Sequence, residues 1–345
     1  MRDKGGYQFQ ALRAVPVPKG NDKYRIICVP TVRDRIVQRA VLSFLAAGDR
    51  CQLANDVSFG FIPHRSVEKA VKTAKALRCE KRWVYKTDIT SFFDSISRDV
   101  LREKITRYVR DRSLRHLLVA AANCEIAPTN KSRTKKIRAA GIRDGKGVRQ
   151  GMPLSPFFAN LVLRNFDQTI QSANISMVRY ADDLICLCES NEACNVAHEL
   201  VGEALLKEGL TVPSVGPESK SRIFGPDEPA DFLGLQLRPQ DGEYVLEISG
   251  KQTQEIRQRV VGFADFDSLD KQGITLTVFL RRLDGMLAGY SGAYDFAANA
   301  KHLDVVLESA RSEAVERLLA KTLGIHVNGL PAATKRFLGI SVEVQ

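Results

Sequence analysis

The sequence predicts an α+β protein. Up to roughly residue 247 short β-rich runs alternate with amphipathic helical stretches, and beyond it the pattern is helical almost to the end. Two further observations support this: Val and Ile alternate on both sides of a polar turn within residues 11–30, and apolar residues recur at helical spacing in many later segments. At 345 residues the chain is long enough for two or three compact subregions with a substantial core.

In order, "ALRAVPVPKGNDKYRIICVP" (11–30) reads as two strands around "KGNDK". "TVRDRIVQRAVLSFLAA" is a helix capped by Thr31, and "HRSVEKAVKTAKAL" a second one opened by Ser66. "RWVYKTDITSFFDSI" (82–96) begins as a strand and passes into a helix with "SRDVLREKI". "NKSRTKKIRAAGIRDGKGVR" (130–149), with Gly and Ser between its charges, reads as an exposed basic loop. A helix beginning near Pro153 to Ser155 follows, then a hairpin around Asp182, then the helix "NEACNVAHELVGEALLKEGL". "DFLGLQL" and "EYVLEI" are short strands. No internal repeat or low-complexity tract interrupts the pattern.

Lys and Arg number 51 against 40 Asp and Glu, a net charge of +11 and a pI near 9.3, which favours a polyanionic partner. The loop at 130–149 suits phosphates, or is a merely solvated surface. No apolar run approaches the ~20 residues of a membrane span, and "MRDKGGYQFQ" lacks the apolar core of a signal peptide, so the expectation is a cytoplasmic protein without a membrane partner. Seven scattered cysteines form no CxxC pair, which points away from zinc and from a disulfide framework.

The chemistry lies in three acids. Asp182 and Asp183 in "RYADDL" sit at a hairpin tip between apolar flanks. Asp favours turns, so the pair alone reads as turn residues. Asp88, ending the apolar strand of "VYKTDITSF", changes that weighing. Acids converging from a strand end and a hairpin tip are the layout of a divalent-metal site, and hard oxygen ligands suit Mg²⁺. Adjacent carboxylates resist ionisation unless cations compensate them, which a metal–triphosphate complex would do.

"KTDITSFFDSI", "VRQGMPLSPFFANLVL" and "RYADDLICL" resemble the core motifs of bacterial reverse transcriptases of the group II intron-like branch. "VPKGNDKYRIICVPTVRDRIVQRAV", "SFGFIPHRSVEKAV", "GLTVPSVGPESKSRIFG" and "DFLGLQL" extend the resemblance over residues 11 to about 240. It implies a right-hand polymerase, with fingers at 1–87, palm at 88–245 (97–150 partly fingers) and an all-helical thumb-like domain at 246–345. It implies that Asp88, Asp182 and Asp183, with the Ile89 carbonyl, hold two Mg²⁺ ions, Mn²⁺ being the alternative. Lys19 and Arg25 would grip the triphosphate of a dNTP, with Lys23 as a substitute for Lys19. Phe93 would exclude a ribose 2′-OH, although core packing is the rival role for Phe92 or Phe93. Gln150 and Gly151 would lie against the nucleotide. Lys220 would act as general acid for pyrophosphate, or be a plain surface lysine. Phe232, Leu233 and Gly234 would press on the primer end, and Arg65 would contact template or the fingers interior. His64 receives no role.

"GVRQG" departs from intron-encoded relatives, which commonly carry Pro before the Gln. Neither retron-specific signatures, nor a C-terminal endonuclease region, nor an RNase H-like acid set is recognisable. The resemblance therefore implies a stand-alone enzyme, defence-associated or abortive-infection-like rather than a complete intron maturase. The expected activity is RNA-directed DNA polymerisation on an RNA template, with an RNA–DNA duplex as partner. A cognate structured non-coding RNA is the expected template, antiphage defence the expected role, and an oligomer is compatible with both. An RNA-binding or splicing cofactor, or another palm-type nucleotidyltransferase, are the alternatives.

Overall fold

Two strands, β1 (Arg13–Pro18) and β2 (Tyr24–Val29), pair antiparallel from Arg13↔Val29 to Pro18↔Tyr24, as the alternation predicts. The Lys19 N–H donates to the Lys23 carbonyl at 2.8 Å and closes this hairpin. The computed structural model describes residues 7–19, 23–326, 329–331, 333 and 334. The turn residues 20–22, and the N-terminal residues 1–6 of the expected leaderless start, lie outside these.

The chain divides into two compact units, residues 1–226 and 227–345. In the first unit, α1 (Val32–Ala46) follows the hairpin, with Thr31 Oγ1 accepting from the Asp34 N–H at 3.2 Å. Then come α2 (Val67–Glu80), capped by Ser66, β3 (Trp83–Asp88), α3 (Phe92–Ser95), α4 (Arg98–Tyr108) and α5 (Arg112–Ala122). After these stand α6 (Lys131–Ala139), α7 (Ser155–Ser172), β4 (Met177–Tyr180), β5 (Asp183–Cys188), α8 (Asn191–Leu206) and β6 (Arg222–Phe224).

The sheet of this unit is antiparallel throughout, in the order β4–β5–β3–β6. β3 is a central strand, and its residues alternate between two buried environments. Tyr85 and Thr87 face α8, where the Tyr85 hydroxyl meets His198 Nδ1 at 2.8 Å. Val84, Lys86 and Asp88 share the other face with their register partners Leu187, Ile185 and Asp183. α2 covers β4 and β5. α7 is apolar nearly all round, with Phe157, Phe158, Leu161, Leu163, Phe166 and Ile170 buried, and it packs on α4 and α8 as the central helix of the core.

The second unit contains an antiparallel sheet of β7 (Ala230–Phe232), β8 (Leu235–Gln240) and β9 (Glu243–Ile248). Among the described residues four helices follow: α9 (Gly250–Gly262), α10 (Phe266–Lys271), α11 (Leu276–Tyr294) and α12 (Ala300–Leu323). α12 packs along α9 and α11, and Phe263 stacks on Phe279 with ring centroids 5.3 Å apart.

The α+β class and the late helical region agree with the sequence; two expected boundaries fall within strands, and one expected loop is partly helical. The boundary expected at 87/88 falls inside β3, whose hydrogen bonds to β5 and β6 place the whole strand in the sheet. The boundary expected at 245/246 cuts β9, because "DFLGLQL" and "EYVLEI" pair with each other and belong with the helices after them. The basic stretch is not a loop throughout: Asn130 caps α6 by accepting from the Arg133 N–H at 2.9 Å, and Lys, Arg and Ala are good helix formers. Its irregular part follows α6, where Gly141, Gly145 and Gly147 have positive φ.

Candidate active site

Asp88 is the last residue of β3 and Asp183 the first of β5, and they are direct register partners. Neighbours paired across strands point to the same side, so the two carboxylates lie next to each other on one face. Tyr180 pairs with Asp183, leaving Ala181 and Asp182 as a two-residue turn, with Ala181 at a left-handed φ of 58°. The Ile89 N–H donates to the Asp182 carbonyl at 3.0 Å, which ties the residue after Asp88 to the hairpin tip. The structure therefore brings Asp88, Ile89, Asp182 and Asp183 together, as the sequence implies.

The electrostatics are those of crowded, half-buried acids. Burial pushes the Asp183 carboxyl up to about 6, against the pull of Lys86, and the charges of Asp182 and Asp88 raise it further. Burial also raises Asp182, helped by Asp88, while its own backbone N–H, Lys220 and Arg25 oppose the shift. The Lys220 ammonium is ion-paired with Asp88 Oδ2, whereas Asp88 Oδ1 is buried with no hydrogen-bond partner among the described residues. An oxygen left bare beside two carboxylates that resist ionisation fits a cation. Among the described residues no group of three or more His, Cys, Asp or Glu side chains is arranged to hold a metal ion by itself. An ion here would thus be completed by substrate oxygens, as Mg²⁺ commonly is.

A buried cluster that the sequence reading missed holds the hairpin. Arg179 has a fully buried side chain whose five N–H donors are all used. Nε and Nη2 donate to the two oxygens of Asp167 at 2.7 and 2.5 Å, and Nη2 also donates to Ser58 Oγ at 2.7 Å. Nη1 donates to Asn160 Oδ1 and to the Ala181 carbonyl, each at 3.1 Å. Backbone bonds from Arg179 N–H to the Val57 carbonyl and from Phe59 N–H to the Arg179 carbonyl add a further edge. Gly60 lies against the turn, where a Cβ would come 2.4 Å from the Ala181 nitrogen. The signals in the sequence were an Arg inside an apolar strand and an Asp on the apolar helix "NFDQTI".

Lys220 is positioned by its neighbour. Ser221 is buried, its hydroxyl 2.6 Å from Thr87 Oγ1 and 2.6 Å from the Pro213 carbonyl, so residue 220 is held beside the end of β3.

Arg25, Phe93, Gln150 and Gly151 line one cleft of about 1570 Å³ in the first unit, with Ile27, Phe61 and His64. The three acids are not among its lining residues, but Arg25 lies close enough to lower the Asp182 carboxyl. Phe92 is the buried aromatic, at 2% exposure, while the half-buried Phe93 packs at the edge of the core and lines the cleft. Lys19 is exposed and acts electrostatically on Asp94; Lys23 is also exposed.

The need for glycine at 151 has its origin within the protein. With φ +104°, a Cβ there would meet the Cys28 carbonyl at 2.8 Å, because the Gln150 carbonyl accepts the Cys28 N–H at 2.7 Å. Behind this contact Glu125 receives Arg98 at 2.6 Å, Arg149 at 2.5 Å and the Gly145 N–H at 2.8 Å. Arg65 turns inward, donating to the Ser58 carbonyl at 2.6 Å and lying over the Phe59 ring, which selects the interior of its two expected roles.

In the second unit Phe232 is fully buried, so its side chain is an anchor and not a contact surface. Leu233 (φ 52°) and Gly234 (φ 82°) form the two-residue turn between β7 and β8, where positive φ at both positions is the type I′ requirement.

The family described as "Reverse transcriptase (RNA-dependent DNA polymerase)" matches residues 17–237. Protein YkfC of Escherichia coli K12 is 32% identical over 180 residues, which make up 50% of this chain and 44% of YkfC. Retron Ec83 reverse transcriptase of Escherichia coli is 26% identical over 204 residues, 55% of this chain and 57% of that protein. Group II intron-encoded protein LtrA of Lactococcus lactis subsp. cremoris is 29% identical over 185 residues, 52% of this chain and 29% of LtrA. The chain thus spans about half or less of the length of these relatives.

Gly60→Ala should force the turn away from its position and destabilise the protein by about 1–3 kcal/mol in urea unfolding; an unchanged midpoint would show that Gly60 does not brace the hairpin. For Asp183 the fold raises the carboxyl from 3.8 to about 6. The native state then holds more protons than the unfolded chain in that interval, so stability falls as pH rises through about 6. In chelator, Asp183→Asn should raise the melting temperature over the parent by a few degrees at pH 8 and by much less at pH 4. An equal gain at both pH values would contradict the buried-charge account.

Proposed function

Since the chain belongs to the reverse transcriptase (RNA-dependent DNA polymerase) family, we propose that it adds deoxynucleotides to a primer 3′ end on an RNA template. The observation that carries this reading is the pairing of Asp88 with Asp183 beside Asp182, together with the unpartnered buried oxygen of Asp88. The four-stranded sheet is assigned to the palm, the β1–β2 hairpin and α1 to the fingers, and α9 to α12 to the thumb.

In this reading the carboxylates of Asp88, Asp182 and Asp183 and the Ile89 carbonyl would hold a pair of Mg²⁺ ions, or Mn²⁺ in their place. Bound there, such ions supply charge neutralisation at the attacking and leaving oxygens of an in-line displacement. The protein's own contribution is positioning. Lys19 and Arg25 take the triphosphate, the guanidinium through paired N–H donors and the ammonium as a point charge. Phe93 closes the cleft against a 2′-hydroxyl, and Gln150 and Gly151 form the wall beside the nucleotide. Lys220, which now compensates Asp88, is set to give a proton to departing pyrophosphate. The Leu233–Gly234 turn is the part of the second unit assigned to the primer.

The basic balance of the chain supports a nucleic-acid partner held through its backbone, with salt-dependent affinity. A dedicated structured RNA as template and a role in antiphage defence are proposed by family analogy. A pure RNA-binding cofactor would have no use for three converging acids and the buried scaffold that aims them.

Replacing Asp182 and Asp183 together by Asn should reduce nucleotide addition at least about a thousandfold, the scale of removing charge stabilisation from phosphoryl transfer. RNA affinity in a filter-binding assay should stay near the parent value; retained polymerisation would dismiss the acids from catalysis. Phe93→Val should increase ribonucleotide relative to deoxynucleotide incorporation by about tenfold, the scale of a steric pocket contact. If the ratio of the two single-turnover rates does not move, Phe93 is not the sugar gate.

A further inference from the structure

α6 takes no part in the catalytic reading. Its nine residues, "KSRTKKIRA", hold five Lys and Arg and no acid, and none of its residues is buried. Ile137 packs against the main core, and Lys136 lies over the Tyr24 ring at 4.6 Å, so the helix sits on the β1–β2 hairpin. Lys131, Lys135 and Arg138 stand at i, i+4 and i+7, on one side of the helix, and all three are exposed. The rise between neighbours in this stripe is about 4.5–6 Å. Among the described residues none of the five cations forms an ion pair.

Two features separate this stripe from an ordinary solvated face. A cationic helix of this length repels itself and has little intrinsic stability, yet here the chain after it is fastened. Glu125 receives Arg98, Arg149 and the Gly145 N–H, and Arg149 also donates to the Arg143 carbonyl at 2.8 Å. The backbone that carries the charges is therefore tethered on its C-terminal side before any partner arrives, which lowers the ordering cost of binding. Secondly, α6 supplies no lining residue to the cleft that contains Arg25, Phe93 and Gln150, although it rests on the same hairpin as Arg25. A polyanion on this stripe lies outside the cleft.

We propose that Lys131, Lys135 and Arg138 of α6 bind the phosphate backbone of the template RNA where it extends beyond the base pairs being copied. This rests on the polymerase reading for the identity of the strand. The surface is an anchor and makes no contact with reacting atoms, so it changes how long a template stays bound and leaves the chemical step alone. Three phosphates neutralised on single-stranded RNA correspond to a slope of about 2 in log affinity against log salt.

The test uses the full chain with all three residues changed, Lys131→Gln, Lys135→Gln and Arg138→Gln. Two primer–template substrates are compared, one whose RNA ends within the copied region and one with a long uncopied 5′ extension. The variant should bind the extended substrate about tenfold or more weakly at moderate salt, with its salt slope reduced by about 2. Affinity for the short substrate and the rate of addition to it should match the parent. Equal affinity of parent and variant for the extended substrate overturns the proposal and leaves α6 for another partner, such as an acidic protein surface. Equal weakening on both substrates also overturns it, since the stripe would then act on the copied duplex. Failure of the polymerase reading is distinguishable, because it would appear as no addition by the parent on either substrate while the binding comparison still reads α6.

Discussion

The buried pair of Arg179 and Asp167 is the constraint on which the acidic site depends. Two charges with side chains at 0% and 1% exposure are costly to remove from water, and the cost is offset only when every donor finds an acceptor. Arg179 meets that condition with Asp167, Asn160, Ser58 and the Ala181 carbonyl. These partners come from α7, from the segment after Asn55 and from the hairpin itself. One guanidinium thereby fixes the turn that carries Asp182 relative to the central helix of the core. Asn55 extends the arrangement, donating to Asp167 at 3.0 Å and accepting from the Val57 and Ser58 N–H groups.

Such rigidity has a purpose at a site whose charges oppose one another. Asp182 and Asp183 would relax apart, or keep their protons, if the backbone let them. The hairpin register and the Ile89 to Asp182 hydrogen bond prevent the first. The raised carboxyls show that the second is the residual cost. Lys220, Lys86 and Arg25 supply partial compensation from three different parts of the first unit, and Ser221 keeps Lys220 in range through Thr87. The site is crowded electrostatically and braced by hydrogen bonds.

The cleft follows the same plan with different parts. Gln150 and Gly151 are held against β2 by a backbone bond to Cys28, and Glu125 organises the loop before them through Arg98 and Arg149. This second cluster is less complete than the first, for Arg149 Nε and a terminal nitrogen of Arg98 are buried without partners among the described residues. Both clusters put an arginine immediately beside a functional segment: Arg149 before Gln150 and Arg179 before the acidic turn. In each the guanidinium faces inward and is buried.

By itself the sequence determined many of the elements and the convergence of the acids. The caps at Thr31 and Ser66, the hairpin around Asp182, the central helix from Ser155 and the late helices follow from local rules of spacing and capping. The meeting of Asp88 with Asp183 was legible because strand ends and turns announce themselves locally. The tertiary structure alone decided which strand belongs to which unit, since pairing of β7 with β8 and β9 is a choice among partners and not a property of any run. It alone decided that Phe92 is buried while Phe93 lines the cleft, and that Gly151 answers to Cys28. The scaffold of Arg179 was invisible for the same reason: its partners lie between 2 and 121 positions away, and no local pattern records a hydrogen bond across that distance.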